Sequence, residues 1–207
     1  MSNHKILTID NLSLQEFDSE SDLIPLLTPE DEEEMNNEIL PETLPILPLR
    51  NTVLFPGVVI PISAGRDKSI KLINDANAKG KIIGVVAQID ENEEDPSPND
   101  VHHIGTVARI MRVLKMPDGN TTVILQGKKR FEIEAFTQEE PYLRATIKEV
   151  SEERPNKKDV EFKTIIESIK ELAIQIIKES PNIPTEATFA IKNIESNPFL
   201  INFVSSN

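Results

Sequence analysis

The sequence predicts an α+β chain: a β-rich part carrying one inserted helix, followed by a helical part built on one long helix. Three observations carry this. Short apolar runs rich in β-branched residues, several broken by proline, fill residues 44–150. Within them, HHIGTVARIMRVLK alternates for more than ten residues before the turn Met116-Pro117-Asp118-Gly119. Beyond residue 150 the apolar period switches from two to about 3.6.

The chain has 207 residues, room for one sizeable domain or one with a smaller companion. Its net charge of −13 belongs to one end. Between Ile6 and Leu49 lie 12 acidic residues and no Lys or Arg, whereas residues 44–150 hold 14 acids and 14 bases. Residues 1–43 therefore read as an acidic, largely disordered tail, of low hydrophobicity and one sign of charge. Short apolar groups within it, Leu23-Ile24 and Leu26-Leu27, are candidates for local docking.

From Leu44 the elements follow in order. LPILPLR and VVIPIS read as strands whose prolines belong at an edge, a bulge or a strand start. RDKSIKLINDANAKG reads as a helix, with Ile70, Ile73 and Ala76 at helical spacing and Gly80 as its stop. KIIGVVAQ is a buried strand and IDENEEDPSPND an acidic, solvated loop. The alternating strand then turns at Pro117-Asp118-Gly119, where Pro presets φ and Gly takes the left-handed position. NTTVILQGKKRFEIEAF returns, with Gly127 as a bulge or bend, and PYLRATIKEV adds one more strand. In residues 151–207, Phe162, Ile166, Ile169, Ala173 and Ile176 form one helix face, widened by Ile165, Leu172 and Ile177. PTEATFAIKNIES and PFLINFVSS are shorter helices. The apolar, helical character persists to Asn207, as expected of a chain that continues further.

Chemistry is harder to find. There is no Cys, which excludes disulfides and thiolate sites and suits a reducing cytosol. Neither a secretory signal nor a long apolar span is visible. Gly57, Gly65, Gly80 and Gly84 form no phosphate-binding glycine pattern, and Gly127-Lys128-Lys129 lacks the flanking residues of a P-loop. Gly65-Arg66-Asp67-Lys68 reads as a helix start with charges towards water, or as an anion site. His102 and His103 point to opposite faces of a strand and make a poor chelate. No nucleophile motif occurs, so no catalytic, metal or cofactor residue is assigned.

Two binding surfaces are left. Arg109, Arg112, Lys115 and Lys128-Lys129-Arg130 could form a basic patch on one hairpin. Against RNA stand the neutral charge balance, the lack of interleaved aromatics, and the odd spacing of Arg109 and Arg112, which should face opposite sides of a regular strand. Phe55, Pro56, Val58, Met116 and Pro117 occupy turn-like positions where apolar side chains would be partly exposed to another protein, or else enter the core.

From Leu44 onward the chain resembles the amino-terminal domain of the Lon family of ATP-dependent proteases. The resemblance lies in LPILPLRNTVLFPGVVIPISAGRDKSIKLI, in IGTVARIMRVLKMPDGNTTVILQGKKRFEI and in NIESNPFLINFV. It implies a PUA-like β-rich subdomain over residues 44–150 and a helical subdomain over 151–207 leading towards an ATPase module. It also implies capture of unfolded or damaged proteins and support of a homohexamer, in the cytoplasm. ATP, magnesium and a Ser-Lys dyad belong to modules outside this stretch, so the fragment is expected to be inert. A free-standing adaptor of the same fold and an RNA-binding PUA-like domain are the alternative readings.

Overall fold

The computed structural model describes residues 27–116, 121–151, 155, 159–180, 183 and 186–206. The expected Pro117-Asp118-Gly119 turn and the first 26 residues lie outside them. Eleven helices and strands are described: α1 (Pro29–Asn37), β1 (Thr43–Leu49), β2 (Val59–Ala64), α2 (Asp67–Lys79), β3 (Ile82–Gln88), β4 (Val101–Lys115), β5 (Thr121–Gln138), β6 (Arg144–Glu149), α3 (Val160–Glu179), α4 (Glu186–Asn193) and α5 (Asn197–Ser205). None of the described helices is long and apolar enough to cross a membrane.

The first element departs from expectation. The acidic cluster at 30–34 is helical rather than disordered, for a local reason. The Thr28 hydroxyl accepts the Asp31 N–H at 3.1 Å, and the Asp31 carboxylate accepts the Thr28 N–H at 3.2 Å, closing a capping box. Glu30, Asp31 and Glu32 fill the first turn, where the helix dipole favours negative charge. A nine-residue helix is still marginal alone. Its Met35 is 7% exposed, and this burial holds it to the rest.

Five strands close into a barrel. The β1 strand runs parallel to β3, with Ile46 opposite Gly84, across a connection that contains β2 and α2. The pairs β3–β4, β4–β5 and β5–β6 are antiparallel, and β6 returns to β1 with Thr43 opposite Thr146. The 18-residue β5 pairs with β4 along one edge and with two further strands along the other. Its first half pairs with β2, from Thr121 opposite Ala64 to Gln126 opposite Val59, and its second half pairs with β6.

Two irregularities between β4 and β5 set where side chains point. Thr106 and Ala108 stand opposite Arg130 and Gly127, so β5 carries one extra residue at the expected Gly127 bulge. Ile110 and Arg112 stand opposite Leu125 and Ile124, so here β4 carries the extra one. Ile110 and Val113, three apart, consequently pack on the same core. The odd spacing of Arg109 and Arg112 therefore no longer places them on opposite faces, contrary to the regular-strand expectation.

One core lies under α2, where Leu72, Ile73 and Ala76 meet Leu47, Leu49, Ile83, Val85, Ile110 and Leu125. The second fills the barrel around Phe131, which is fully buried among Ile46, Val86, Val107, Ile133 and Ala145. Gly84 and Gly105 make the room: a Cβ at either would stand 2.9 Å and 2.8 Å, respectively, from Phe131 Cζ. Replacing Phe131 by Ala should cost about 3–5 kcal/mol, by lost transfer energy and an unfilled cavity. Urea unfolding of the variant checks this through its midpoint.

Candidate protein-docking surface

The PG break in the most apolar stretch of the chain is a turn. Phe55 C=O accepts the Val58 N–H at 3.2 Å, Pro56 takes the second position, and Gly57 has φ +81° at the third. Pro and Gly satisfy the backbone demands of a type II turn at those two positions. The turn is then held from three sides. Gly57 N–H donates to Gly127 C=O and Gly127 N–H to Val58 C=O, both at 2.9 Å. The buried Thr106 hydroxyl donates to Leu54 C=O at 2.7 Å. From α5, the Asn202 amide donates to Pro56 C=O at 3.1 Å and accepts from Arg130 Nη2 at 2.8 Å. The Arg130 guanidinium also lies 5.9 Å from the Phe55 ring centroid, a cation–π distance.

Side chains could not be added here without displacement. A Cβ on Gly57 would meet Phe199 Cδ2 at 2.8 Å, and one on Gly127 would collide with the Phe55 carbonyl oxygen. Phe199 is itself buried, on a helix started by the Ser196 hydroxyl, which accepts the Phe199 N–H at 3.2 Å. Around these residues a third core forms from Val58, Ile166, Ala173, Ile177, Ile191, Ile194, Phe199 and Leu200. The turn is the seat on which the helices dock.

This decides the exposure expected of the five contact candidates. Pro56 and Val58 are buried and Phe55 is half-buried, so partial exposure was wrong for Pro56 and Val58 and the core reading holds for both. The reason is the helical layer, whose docking side periodicity alone could not name. Met116 is exposed, and Pro117 lies outside the described residues.

The charged candidates turn out to be clamps. Arg66 Nη2 donates to Gln88 Oε1 at 2.8 Å and to Glu93 C=O at 3.0 Å, and Arg50 reaches the same carbonyl at 3.2 Å. Partial burial, then the neighbouring Arg50 charge, lower the Arg66 pKa. Lys68 pairs with Asp95 and Glu140 at 2.8 Å, and those hydrogen bonds push its pKa up to about 12. Within the Gly65-Arg66-Asp67-Lys68 start, Arg66 and Lys68 thus grip the acidic loop 89–100, Lys68 also reaching Glu140, while Asp67 faces water. His102 and His103 are both exposed on β4, and His103 meets the Phe136 ring edge-on at 6.4 Å.

The surface left open to a partner is on α3, a place no single motif marked. Ile166, Ala173 and Ile177 turn into the third core. Ile165, Leu172 and Ile176 are 50%, 59% and 58% exposed. With the half-buried Phe162 and Ile169 they recur at alternating steps of three and four, a continuous apolar seam along the outside of the helix. The expected single broad stripe is present, graded across its width: Ile166, Ala173 and Ile177 are buried, Phe162 and Ile169 half-buried against the third core, and the other margin exposed. The neighbouring α4 adds Phe189, 70% exposed. An apolar helix face of this length is unusual on free surface.

A barrel whose irregular turn seats a helical layer, with an apolar seam left open on that layer, has the build of a binding domain. The chain belongs to the family of substrate-binding domains of the ATP-dependent protease La (LON), whose family model matches residues 43–207. The Lon protease of Flavobacterium johnsoniae is 83% identical over 207 residues, covering the whole of this chain and 25% of its own. That of Cytophaga hutchinsonii is 50% identical over 186 residues, 90% of this chain and 23% of its own. The chain spans about a quarter of the length of these relatives and corresponds to their substrate-binding part. Among solved structures, the N-terminal domain of the Mycobacterium avium complex Lon protease matches 78% of this chain and 80% of its own at a TM-score of 0.63. At 20% identity, this likeness bears on the mixed α+β fold alone.

Two outcomes follow from these clasps. Asn202→Ala leaves the Pro56 carbonyl and Arg130 without their shared partner, which should cost about 1–3 kcal/mol; hydrogen exchange should then quicken in α5 before it does in β4. The second concerns Asp100, whose carboxyl is held below its usual range by hydrogen bonds from the Ser97 side chain and backbone. Its contribution to stability is present above the unfolded carboxylate value and lost as pH falls through the lowered folded one. In Ser97→Ala, an NMR titration should find the Asp100 midpoint moved upwards.

Proposed function

We propose that this chain is the substrate-capturing part of a longer, cytoplasmic, ATP-dependent Lon-type protease, recognising unfolded or damaged polypeptides and supporting a homohexamer. The observation that carries the reading is the open margin of Ile165, Leu172 and Ile176 on α3, beside the half-buried Ile169. Unfolded chains differ from folded ones chiefly in the apolar side chains they offer, and such a seam can take them without demanding a sequence. Fully burying one Leu or Ile contributes about 1.5–3 kcal/mol, so contact with one copy is weak after the cost of association. Six copies around one client would raise the avidity without any new contact. Catalysis, ATP and magnesium belong, on this reading, to the remainder of the longer protein.

The alternatives draw less support. A free-standing adaptor fits poorly with relatives of which this chain is a quarter. A PUA-like RNA-binding role needs a free basic face, yet Lys129 pairs with Glu149 at 3.1 Å and Lys128 approaches Glu38 at 3.9 Å.

Reduced, unfolded casein should bind the chain, and that binding should survive a rise from roughly 50 to 200 mM salt, over which phosphate contacts lose orders of magnitude in affinity. Leu172→Asp combined with Ile176→Asp should weaken capture at least about tenfold. The thermal midpoint should stay unchanged, because both side chains already face solvent. RNA binding that collapses with salt, together with no casein binding, would overturn the proposal.

A further inference from the structure

Resting on the reading that this domain binds polypeptide segments, we infer that a second site exists: the face formed by the β5 bulge, Pro56 and α5 takes acidic, amphipathic protein segments, and α1 covers part of it in cis. With α1 in place a cleft of about 320 Å³ remains open between it and that face, lined by Leu27 and Met35 on the α1 side and by Pro56, Lys128, Phe199 and Asn202 on the other. The floor beneath α1 is apolar, from Pro56 and Phe199, and on the α1 side Met35 is buried while Leu27 packs into the third core beside Gly57. Its rim is basic, from the bulge residues Lys128, Lys129 and Arg130; Lys129 stays paired with Glu149 and Arg130 with Asn202, so the charge that release of α1 and Glu38 opens to an acidic segment is that of Lys128.

The occupant is complementary in both respects. Five consecutive acids, Glu30 to Glu34, and no base lie on α1, and Glu38 just beyond it approaches Lys128 at 3.9 Å. It is also held lightly. Nine residues make a marginal helix, Met35 is its one buried apolar anchor, and the ion pair is long and partly exposed. The tether adds to the Met35 anchor by presenting α1 at high effective concentration. A client segment with the same chemistry, acids flanking an apolar side chain, competes for the same floor and rim. Nucleic acid would be repelled by α1 in place and would leave the apolar floor unused.

The test uses the whole 207-residue chain and a fluorescent peptide copying residues 27–38, read by anisotropy. Wild type should bind the peptide weakly. Met35→Asp, which sets a charge against the apolar floor, should release α1 and tighten peptide binding at least tenfold. Thr28→Ala removes the capping box from an exposed position and should tighten it a few-fold; it carries the test should Met35→Asp fail to fold. Adding Lys128→Glu to either variant should reverse the gain. Equal peptide affinity for wild type and both α1 variants, or a gain indifferent to Lys128→Glu, overturns the inference. Casein capture measured on the same proteins separates the two sites. If capture persists while the peptide fails to bind, the cleft alone is disproved. If the peptide binds α1-released protein and casein does not bind, the cleft stands and the α3 reading falls.

Discussion

The structure depends on one turn being both tight and bare. Phe55-Pro56-Gly57-Val58 brings backbone carbonyls to the surface of the barrel with no side chain above them, because Gly57 has none and Gly127 opposite has none. Backbone–backbone contact at the bulge ties the turn to β5, and the Pro56 carbonyl, unused by the barrel, becomes the acceptor that α5 needs. Asn202 uses its oxygen and its nitrogen at once, on Arg130 and Pro56, so a buried amide is satisfied at both ends. Without the bulge, Gly127 would not face the turn, and Arg130 would not reach Asn202.

This gives a physical meaning to the residues through which the chain resembles its family. Gly105 leaves space for Phe131, Thr106 holds the Leu54 carbonyl, and Ala108 sits fully buried under α2. Gly127 and Arg130, four positions of one bulge, meet the backbone of the turn and the ring of Phe55. Ser196, Phe199 and Asn202 start α5, cover Gly57 and bond Pro56. Three stretches far apart in sequence are thus one contact in space. Together these residues form a joint.

The strands and the long helix were legible from period and punctuation: the prolines, Gly80 and the alternation of β4 each name a local conformation. What was not legible depended on partners. Pro56 and Val58 looked like exposed turn residues because nothing local reveals that three helices will cover them. The acidic cluster looked disordered because composition outweighed a cap that Thr28 and Asp31 spell out three residues apart, a signal available in the sequence. The outward seam of α3 was visible as apolar residues too numerous for one face, but its division into buried and open halves required the position of Val58 and α5.

The joint and the cleft share residues, and this couples them. Pro56, Arg130, Phe199 and Asn202 line the cleft and also hold the helical layer on the barrel. Any occupant that rests on Phe199 and the bulge makes its full contact only when α5 is docked, so by linkage its binding stabilises docking. The converse holds with equal magnitude: whatever loosens α5 weakens the occupant. Because α3 and α5 share the third core with Val58, the open seam is carried by the same layer. The barrel is then the fixed body, the turn its bearing, and the two candidate surfaces lie on what the bearing holds.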